Sequence, residues 1–307
     1  MRRQEATNYR ISTEHLQQAG ASPWQDAGGY PSELPLYLEW RKKMVEWSYS
    51  IASTCKFRQE TVEVALSIVD RFVAVQTALL SQAHRYQAAC MASLYIAAKI
   101  HEHQCLTTRQ MECLSAGRFR ASDIENMERE ILASIQWRVN PPTATAFCRT
   151  LLNLMPLELV PDQRTVVDLV ESHIQLAIGE EYFLSVDASS LGFASLLNAL
   201  QCVLGHSNLN EFFGYFAKAL LVDGIEPSIY HSSVEMNRLR RKLRVLVVEA
   251  LASGNILNEA MASAYQDILG GSKGYSSKKG ESLYPMHSAE SPRSVADAHR
   301  SVGVVII

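Results

Sequence analysis

The chain has 307 residues, of which 47% are hydrophobic and 20% are charged. These proportions are typical of a soluble globular protein, and the length is enough for two ordinary domains. The formal net charge of -3 argues against a nucleic-acid binder that works by neutralising phosphates. Six scattered cysteines without a C-x-x-C pair predict reduced thiols in an intracellular protein and no metal site.

The first 32 residues are polar and punctuated by Gly and Ala, which predicts a flexible N-terminal arm over residues 1–32. The first firm helix is predicted over residues 35–53. There Trp40, Met44 and Trp47 lie four and three residues apart, which is the spacing of a single apolar stripe on a helix. The stripe indicates that this helix packs against a core.

Asp70 and Arg71 interrupt the nearly continuous apolar second helix, predicted over residues 59–79. Buried carboxylates are rare unless a cation lies beside them. Arg41 on the first helix is the candidate cation. We therefore expect Arg41 and Asp70 to form a structural ion pair between the first two helices.

The central helix of the first half, residues 86–102, carries no charge, Gly or Pro between Ala88 and Ala98. A helix that is apolar on all sides is buried all round. Lys99 ends this apolar run, and its ammonium group needs either an acidic partner or contact with solvent. Glu128 projects beside the apolar stripe of a later helix, so we pair it with Lys99.

A short helix is predicted from near Thr107, and the next helix is predicted to open with a capping box from Ser122 to Glu125. Pro141 and Pro142 end that helix. Further helices are predicted over residues 144–154, 163–178, 189–204, 209–221 and 232–252.

Strand signals are absent from the whole chain, so the predicted fold is all-α, with five helices, a Pro-Pro hinge and about five more helices. We place the first unit at residues 33–140 and the second at residues 141–260. Residues 268–307 are rich in Gly, Ser and Lys at their start and are predicted to form a disordered, flexible tail.

No catalytic motif is present: the chain lacks a phosphate-binding glycine loop, a nucleophile elbow and an H-E-x-x-H pair. The cluster from His101 to His103 has adjacent members, which do not share one helix face for a metal. We therefore predict a protein-binding module that is not an enzyme and that uses no cofactor.

Several stretches resemble, in order, the motifs of the cyclin family. They are WRKKMVEW (40–47), RQETVEVALSIVDRFVA (58–74), ACMASLYIAAKIHE (89–102), NMEREILASIQWRVNPPTATAF (126–147) and, more weakly, DASSLGFASLLNAL (187–200). The resemblance implies two consecutive five-helix cyclin-like repeats. It also implies a regulatory subunit that binds and activates a cyclin-dependent kinase as a heterodimer, controls cell-cycle progression, and lies in the nucleus, the cytoplasm or both.

The resemblance assigns Lys99 and Glu128 to kinase binding, and it assigns Arg41 and Asp70 to a structural brace. It further implies a patch that docks kinase substrates or inhibitors, formed by Trp40, Met44, Trp47 and Gln87. The short arm and the tail containing Ser-Pro look more like those of a G1-type, D-type-like cyclin.

The alternative is a cyclin-fold transcription-associated or scaffold protein that does not activate a kinase, since one fold serves several functions. Retained Lys99 and Glu128 argue against a scaffold. One basic patch stands out in the sequence, and we call it the basic cluster: Arg238, Arg240, Arg241, Lys242 and Arg244. A solvated helix face is its ordinary interpretation, and nucleic-acid binding is its alternative.

Overall fold

The structure is a computed structural model that describes residues 1–9, 33–222, 234–254, 257 and 259–265, and these contain helices and no strand. The first group of helices is α1 (Glu33–Cys55), α2 (Gln59–Val75), α3 (Ala83–His101), α4 (Thr108–Leu114) and α5 (Ala121–Ser134). The second group is α6 (Ala144–Asn153), α7 (Gln163–Ile178), α8 (Ala188–Val222), α9 (Val234–Ala252) and α10 (Glu259–Ala264). Short 3-10 helices cover Thr77–Ser81 and Glu181–Ser185.

Each group of five helices encloses its own hydrophobic core, and we call the two groups the first and the second repeat. In the first repeat α3 packs against α1, α2 and α5, and its apolar residues are buried, as the sequence predicts. In the second repeat α8 takes the equivalent central place against α6, α7 and α9. The predicted all-α fold of two five-helix repeats is therefore confirmed.

Close approach between α6 and α8 depends on one glycine. A Cβ atom added at Gly192 would lie 2.5 Å from the backbone oxygen of Ala144, closer than two such atoms can pack. The thiol of Cys148 on α6 also donates to the Gly192 carbonyl oxygen, at 2.8 Å. The small residues of the central helix thus set how tightly the second repeat packs.

Two helix boundaries differ from the sequence prediction. The helices predicted over residues 189–204 and 209–221 form the single helix α8, because a glycine such as Gly205 costs only about 1 kcal/mol inside a helix. The capping box predicted at Ser122 is wrong. The helix α5 begins at Ala121, and its cap is Arg120, two residues before Ser122. The Arg120 N–H donates to the Asp123 carboxylate at 2.8 Å.

Residues 2–9 are helical and contact both repeats. The Glu5 carboxylate is buried and accepts the backbone N–H of Ser189 at the start of α8, at 3.0 Å. The Arg71 guanidinium lies over the Tyr9 ring, 4.9 Å from its centre. The predicted flexible arm therefore begins with a docked segment. The rest of that arm, residues 10–32, and the predicted tail, residues 268–307, lie outside the described residues.

No helix in the described part of the chain is both long enough and apolar enough to cross a lipid bilayer.

Candidate functional site

The structure brings Lys99 and Glu128 together, as the sequence predicts. Lys99 lies in the last turn of α3, and its Nζ atom donates to Glu128 Oε1 on α5. The Lys99 side chain is 37% exposed and that of Glu128 is 15% exposed. The Lys99 ammonium also lies over the Tyr95 ring, 4.3 Å from its centre. This pair is therefore half-solvated, with one face still open to a partner.

Two exposed apolar side chains follow the members of this pair along the chain. Ile100 follows Lys99 directly and is exposed, and Trp137 is 72% exposed. Trp137 lies just past α5, where its backbone N–H donates to the Leu132 carbonyl at 2.9 Å, one turn beyond Glu128. We call Lys99, Ile100, Glu128 and Trp137 the α3–α5 surface.

The exposure of Trp137 results from the way α5 ends. Gln136 and Trp137 both have positive φ angles, of 54° and 60°, a conformation that is uncommon for residues other than glycine. The sequence predicts only that Trp137 lies in the segment that ends this helix, and it predicts no site role for the residue. The sequence signal that indicates an exposed side chain is the position of Trp137 between a helix end and two prolines, outside the apolar stripe of that helix.

The second predicted pair, Arg41 and Asp70, lies in the interior. Arg41 Nε donates to Asp70 Oδ1 at 3.0 Å and Nη2 donates to Oδ2 at 2.8 Å. Arg41 Nη1 donates to the Ile178 carbonyl oxygen at the end of α7, at 2.5 Å. Burial lowers the pKa of Arg41, but the Asp70 carboxylate outweighs that effect, so the pKa is raised overall. Arg41 therefore joins α1 and α2 to the second repeat.

The residues of the implied docking patch do not form an exposed surface. Trp40, Met44 and Trp47 are buried in the core of the first repeat, and Gln87 is buried and accepts a hydrogen bond from Arg118 at 2.7 Å. A docking site needs exposed apolar area. Docking at these residues stays a prediction, and it would require the buried side chains to become exposed.

Another buried carboxylate, that of Glu63, lies where the repeats meet. Glu63 on α2 accepts the Thr145 backbone N–H at 3.2 Å and the Thr145 hydroxyl. Burial raises the pKa of Glu63 to about 7, and the hydrogen bonds from Thr145 only partly oppose this rise. Glu63 lines a cleft of about 610 Å³ between the repeats. Its two hydrogen bonds to Thr145 join α2 to α6 across the junction of the two repeats.

The cluster at the end of α3 also has a structural role. Glu102 accepts the Arg58 backbone N–H at 3.0 Å and the Thr61 hydroxyl, which ties the end of α3 to the start of α2. Among the residues that the structure describes, no three His, Cys, Asp or Glu side chains are grouped closely enough to hold a metal ion.

Part of the chain matches a known family of proteins. Residues 15–140 match the family model described as "Cyclin, N-terminal domain". That match ends at the same residue as the predicted first unit and begins earlier, within residues 10–32.

Curated relatives carry the same family name. The chain is 26% identical over 185 residues to "Meiosis-specific cyclin rem1" of Schizosaccharomyces pombe, covering 59% of this chain and 42% of that protein. It is 22% identical over 176 residues to "G1/S-specific cyclin-D1" of Homo sapiens, covering 57% and 58%. It is 24% identical over 164 residues to "G2/mitotic-specific cyclin-2" of Antirrhinum majus, covering 53% and 36%. The chain thus spans between 36% and 58% of these relatives, and G1/S and mitotic names occur together.

One solved structure is similar in fold. The viral cyclin from herpesvirus saimiri superposes with a TM-score of 0.53 at 17% identity, covering 78% of this chain and 98% of that chain. At this identity the likeness concerns the fold alone. The family model, the named relatives and the two five-helix repeats agree: residues 15–140 match the cyclin N-terminal domain, and the chain is similar to cyclins in sequence and in fold.

Proposed function

We propose that this chain is a regulatory subunit that binds and activates a cyclin-dependent Ser/Thr kinase as a heterodimer, and thereby controls cell-cycle progression. The observation that carries the proposal is the partly exposed pair of Lys99 and Glu128, which joins α3 to α5 at the surface. Two exposed apolar side chains, Ile100 and Trp137, follow it in the chain. The names of the relatives agree with it, since all three are cyclins. In this role the chain itself catalyses no reaction.

The α3–α5 surface has the composition that protein interfaces use. Binding energy is concentrated in a few central residues, and aromatic side chains are enriched among them. Trp137 and Ile100 supply apolar anchors, while Lys99 and Glu128 supply charges that fix the orientation of the partner. A partner helix laid across them would remove both charges from water, so the loss of either one should weaken binding.

Binding alone does not activate a kinase. A ligand shifts a conformational equilibrium only by binding one state better than the other. We therefore expect the α3–α5 surface to bind the active arrangement of the kinase more tightly than the inactive one. Kinase activity is accordingly a separate readout from kinase capture.

The test is to co-express the chain with candidate cyclin-dependent kinases, capture it, and measure the bound kinase and its activity. Lys99→Ala and Glu128→Ala are compared with wild type. We expect the kinase affinity of each variant to fall by more than about tenfold. Removing one partner of a charge pair that the kinase buries costs about 2 kcal/mol or more, because the other charge is left desolvated and unpaired. Circular dichroism checks that both variants keep the fold.

A matched control is present on the same two helices. Arg85 on α3 pairs with Glu130 on α5, and both side chains are about one-third exposed. Arg85→Ala removes an α3–α5 ion pair of the same kind without touching Lys99 or Glu128. It should leave kinase capture close to wild type, since such exposed pairs contribute about 0–1 kcal/mol.

The other outcomes of the capture experiment distinguish kinase activation from the scaffold and transcription-associated alternatives. A kinase that is bound but inactive would favour the scaffold alternative. If wild type captures none of the kinases, the proposal fails, and a transcription-associated role becomes the better hypothesis. The predicted location in the nucleus or the cytoplasm is checked by imaging a tagged chain.

A further inference from the structure

The basic cluster lies on α9 in the second repeat, and the stretch from Met236 to Val248 contains five cations and no acidic residue. Arg240 differs from the other four, because it bonds within the repeat. Its Nε donates to Asn198 Oδ1 at 3.1 Å and its Nη2 donates to Gln201 Oε1 at 2.7 Å. Arg240 therefore fastens α9 to α8 and belongs to the fold.

The outward cations of the cluster have a different environment. Arg238, Arg241 and Lys242 are exposed, and no acidic side chain in the described part of the chain lies within ion-pair distance of them. Arg238 and Lys242 both lie over the half-buried Tyr182 ring, at 5.9 and 4.6 Å from its centre. Two like charges therefore lie over one ring, and no ion pair found in the described part of the chain offsets their repulsion.

Exposed valines continue the same helix face. Val234, Arg238, Arg241, Val245 and Val248 are spaced four, three, four and three residues apart, so they lie on one stripe. Val245 is 50% exposed and Val248 is 37% exposed. We call Arg238, Arg241, Lys242, Val245 and Val248 the α9 face. It combines cations at one end with apolar side chains at the other.

We propose that the α9 face binds a second protein through an acidic amphipathic helix. Carboxylates of that helix would meet Arg238, Arg241 and Lys242, and its apolar residues would cover the two valines. Charge complementarity of this kind sets orientation and association rate, and helical spacing on both sides lets the two stripes run alongside each other. This surface goes beyond the proposed kinase contact, which lies on the first repeat.

A nucleic-acid partner fits the α9 face less well. Phosphate binding draws its strength from many cations, whereas half of this stripe is apolar and the whole chain carries a net charge of -3. Stacking on bases needs an open aromatic face, and the Tyr182 ring is half-buried with two cations over it. Both observations favour a short acidic segment of a protein.

The test is a phage-display selection in which a library of short random peptides is screened for binding to the full chain. The sequences of the selected peptides are then read. Peptides rich in Asp and Glu, with apolar residues at a spacing of three and four, are the expected result. The variant Arg238→Gln/Arg241→Gln/Lys242→Gln should lower the affinity of the selected peptides by about tenfold or more, and added salt should weaken binding to wild type. Lys56→Gln/Arg109→Gln/Arg164→Gln changes the net charge equally at exposed sites elsewhere and should have little effect.

A second variant, Val245→Ser/Val248→Ser, keeps every cation and separates the apolar contribution from the charge. It should also weaken peptide binding, and it keeps the test decisive if the triple variant does not fold. Selected peptides without acidic enrichment, or equal binding to the triple variant and wild type, would overturn the proposal. So would tight binding of a random-sequence DNA duplex that the triple variant loses and the valine variant keeps.

Discussion

Two ion pairs of the first repeat are alike in chemistry and opposite in setting. The side chains of Arg41 and Asp70 are 3% and 8% exposed, whereas those of Lys99 and Glu128 are 37% and 15% exposed. Arg41 uses three of its nitrogen atoms on partners within the chain. Lys99 is bonded to Glu128 and remains open to solvent. The comparison teaches that burial separates a pair that holds the fold from a pair that stays accessible at the surface.

The largest expected effect is the loss of the buried pair. Arg41→Ala leaves the Asp70 carboxylate buried without its cation and frees the carbonyl oxygen of Ile178. We expect a loss of about 3–5 kcal/mol in the free energy of unfolding, which is the usual result of removing one partner of a buried pair. Urea denaturation followed by circular dichroism measures it.

The control for that experiment is Lys42→Ala, one residue along α1. Lys42 pairs with Glu180 at 2.9 Å, and both side chains are exposed. This change should cost less than about 1 kcal/mol. Equal losses for the two variants would break the comparison, because burial would then not decide the role of a pair.

The next largest effect concerns Glu63 at the junction of the repeats, and it depends on pH. Its pKa is raised by burial from 4.5 to about 7 in the folded chain, so the folded chain holds the proton more tightly than the unfolded chain. The associated stability is present below pH 4.5 and is lost as the pH rises to 7, at about 1.4 kcal/mol per pH unit, or about 3 kcal/mol in all.

Glu63→Gln removes this titration, and the free energy of unfolding of wild type minus variant isolates it. The difference should fall as the pH rises from about 5 to about 7 and then level off. The subtraction is needed because burial lowers the pKa of His173 to about 4, which raises stability over an overlapping range. A difference that stays constant with pH would show that Glu63 is ionised throughout.

The third prediction concerns Trp137, an exposed residue of the α3–α5 surface. Trp137→Ala should leave the free energy of unfolding nearly unchanged, because the side chain is mostly exposed and alanine keeps the same backbone conformation. Kinase affinity should fall by about 2 kcal/mol, as expected of an aromatic anchor. Leu157→Ala removes another exposed apolar side chain, in the second repeat, and should leave affinity unchanged. Equal affinities of the two variants would remove Trp137 from the proposed interface.

The smallest expected effect is on the stability of the exposed pair itself. Lys99→Ala should change the free energy of unfolding by less than about 1 kcal/mol, because exposed pairs contribute little. Urea denaturation beside Arg41→Ala gives the direct contrast. A loss for Lys99→Ala as large as that for Arg41→Ala would mean that the Lys99 pair also holds the fold.

Both ion pairs could be predicted from the sequence, because each contains a charged residue within or at the end of an apolar helix. Asp70 interrupts an apolar helix and Lys99 ends one, so each needed a countercharge on a neighbouring helix. The two central helices were equally clear, since long apolar runs without charge have to be buried. In these places local pattern and global fold agree.

The remaining features depend on long-range contacts or on irregular backbone. Glu5 bonds to Ser189, 184 residues away, and nothing local to the arm indicates that contact. The exposure of Trp137 follows from two positive φ angles, which the sequence around it does not reveal. The spacing of Trp40, Met44 and Trp47 predicts a stripe, but it does not tell a buried stripe from a docking patch.

The most direct test of the account is the dissociation constant of a captured cyclin-dependent kinase for wild type, Glu128→Ala and Glu130→Ala. The two acidic residues lie two positions apart on α5, and both pair with a cation on α3. We predict that Glu128→Ala weakens binding by more than about tenfold and that Glu130→Ala leaves it within about threefold of wild type. Equal dissociation constants for the two variants would contradict the assignment of Lys99 and Glu128 as the kinase-binding pair.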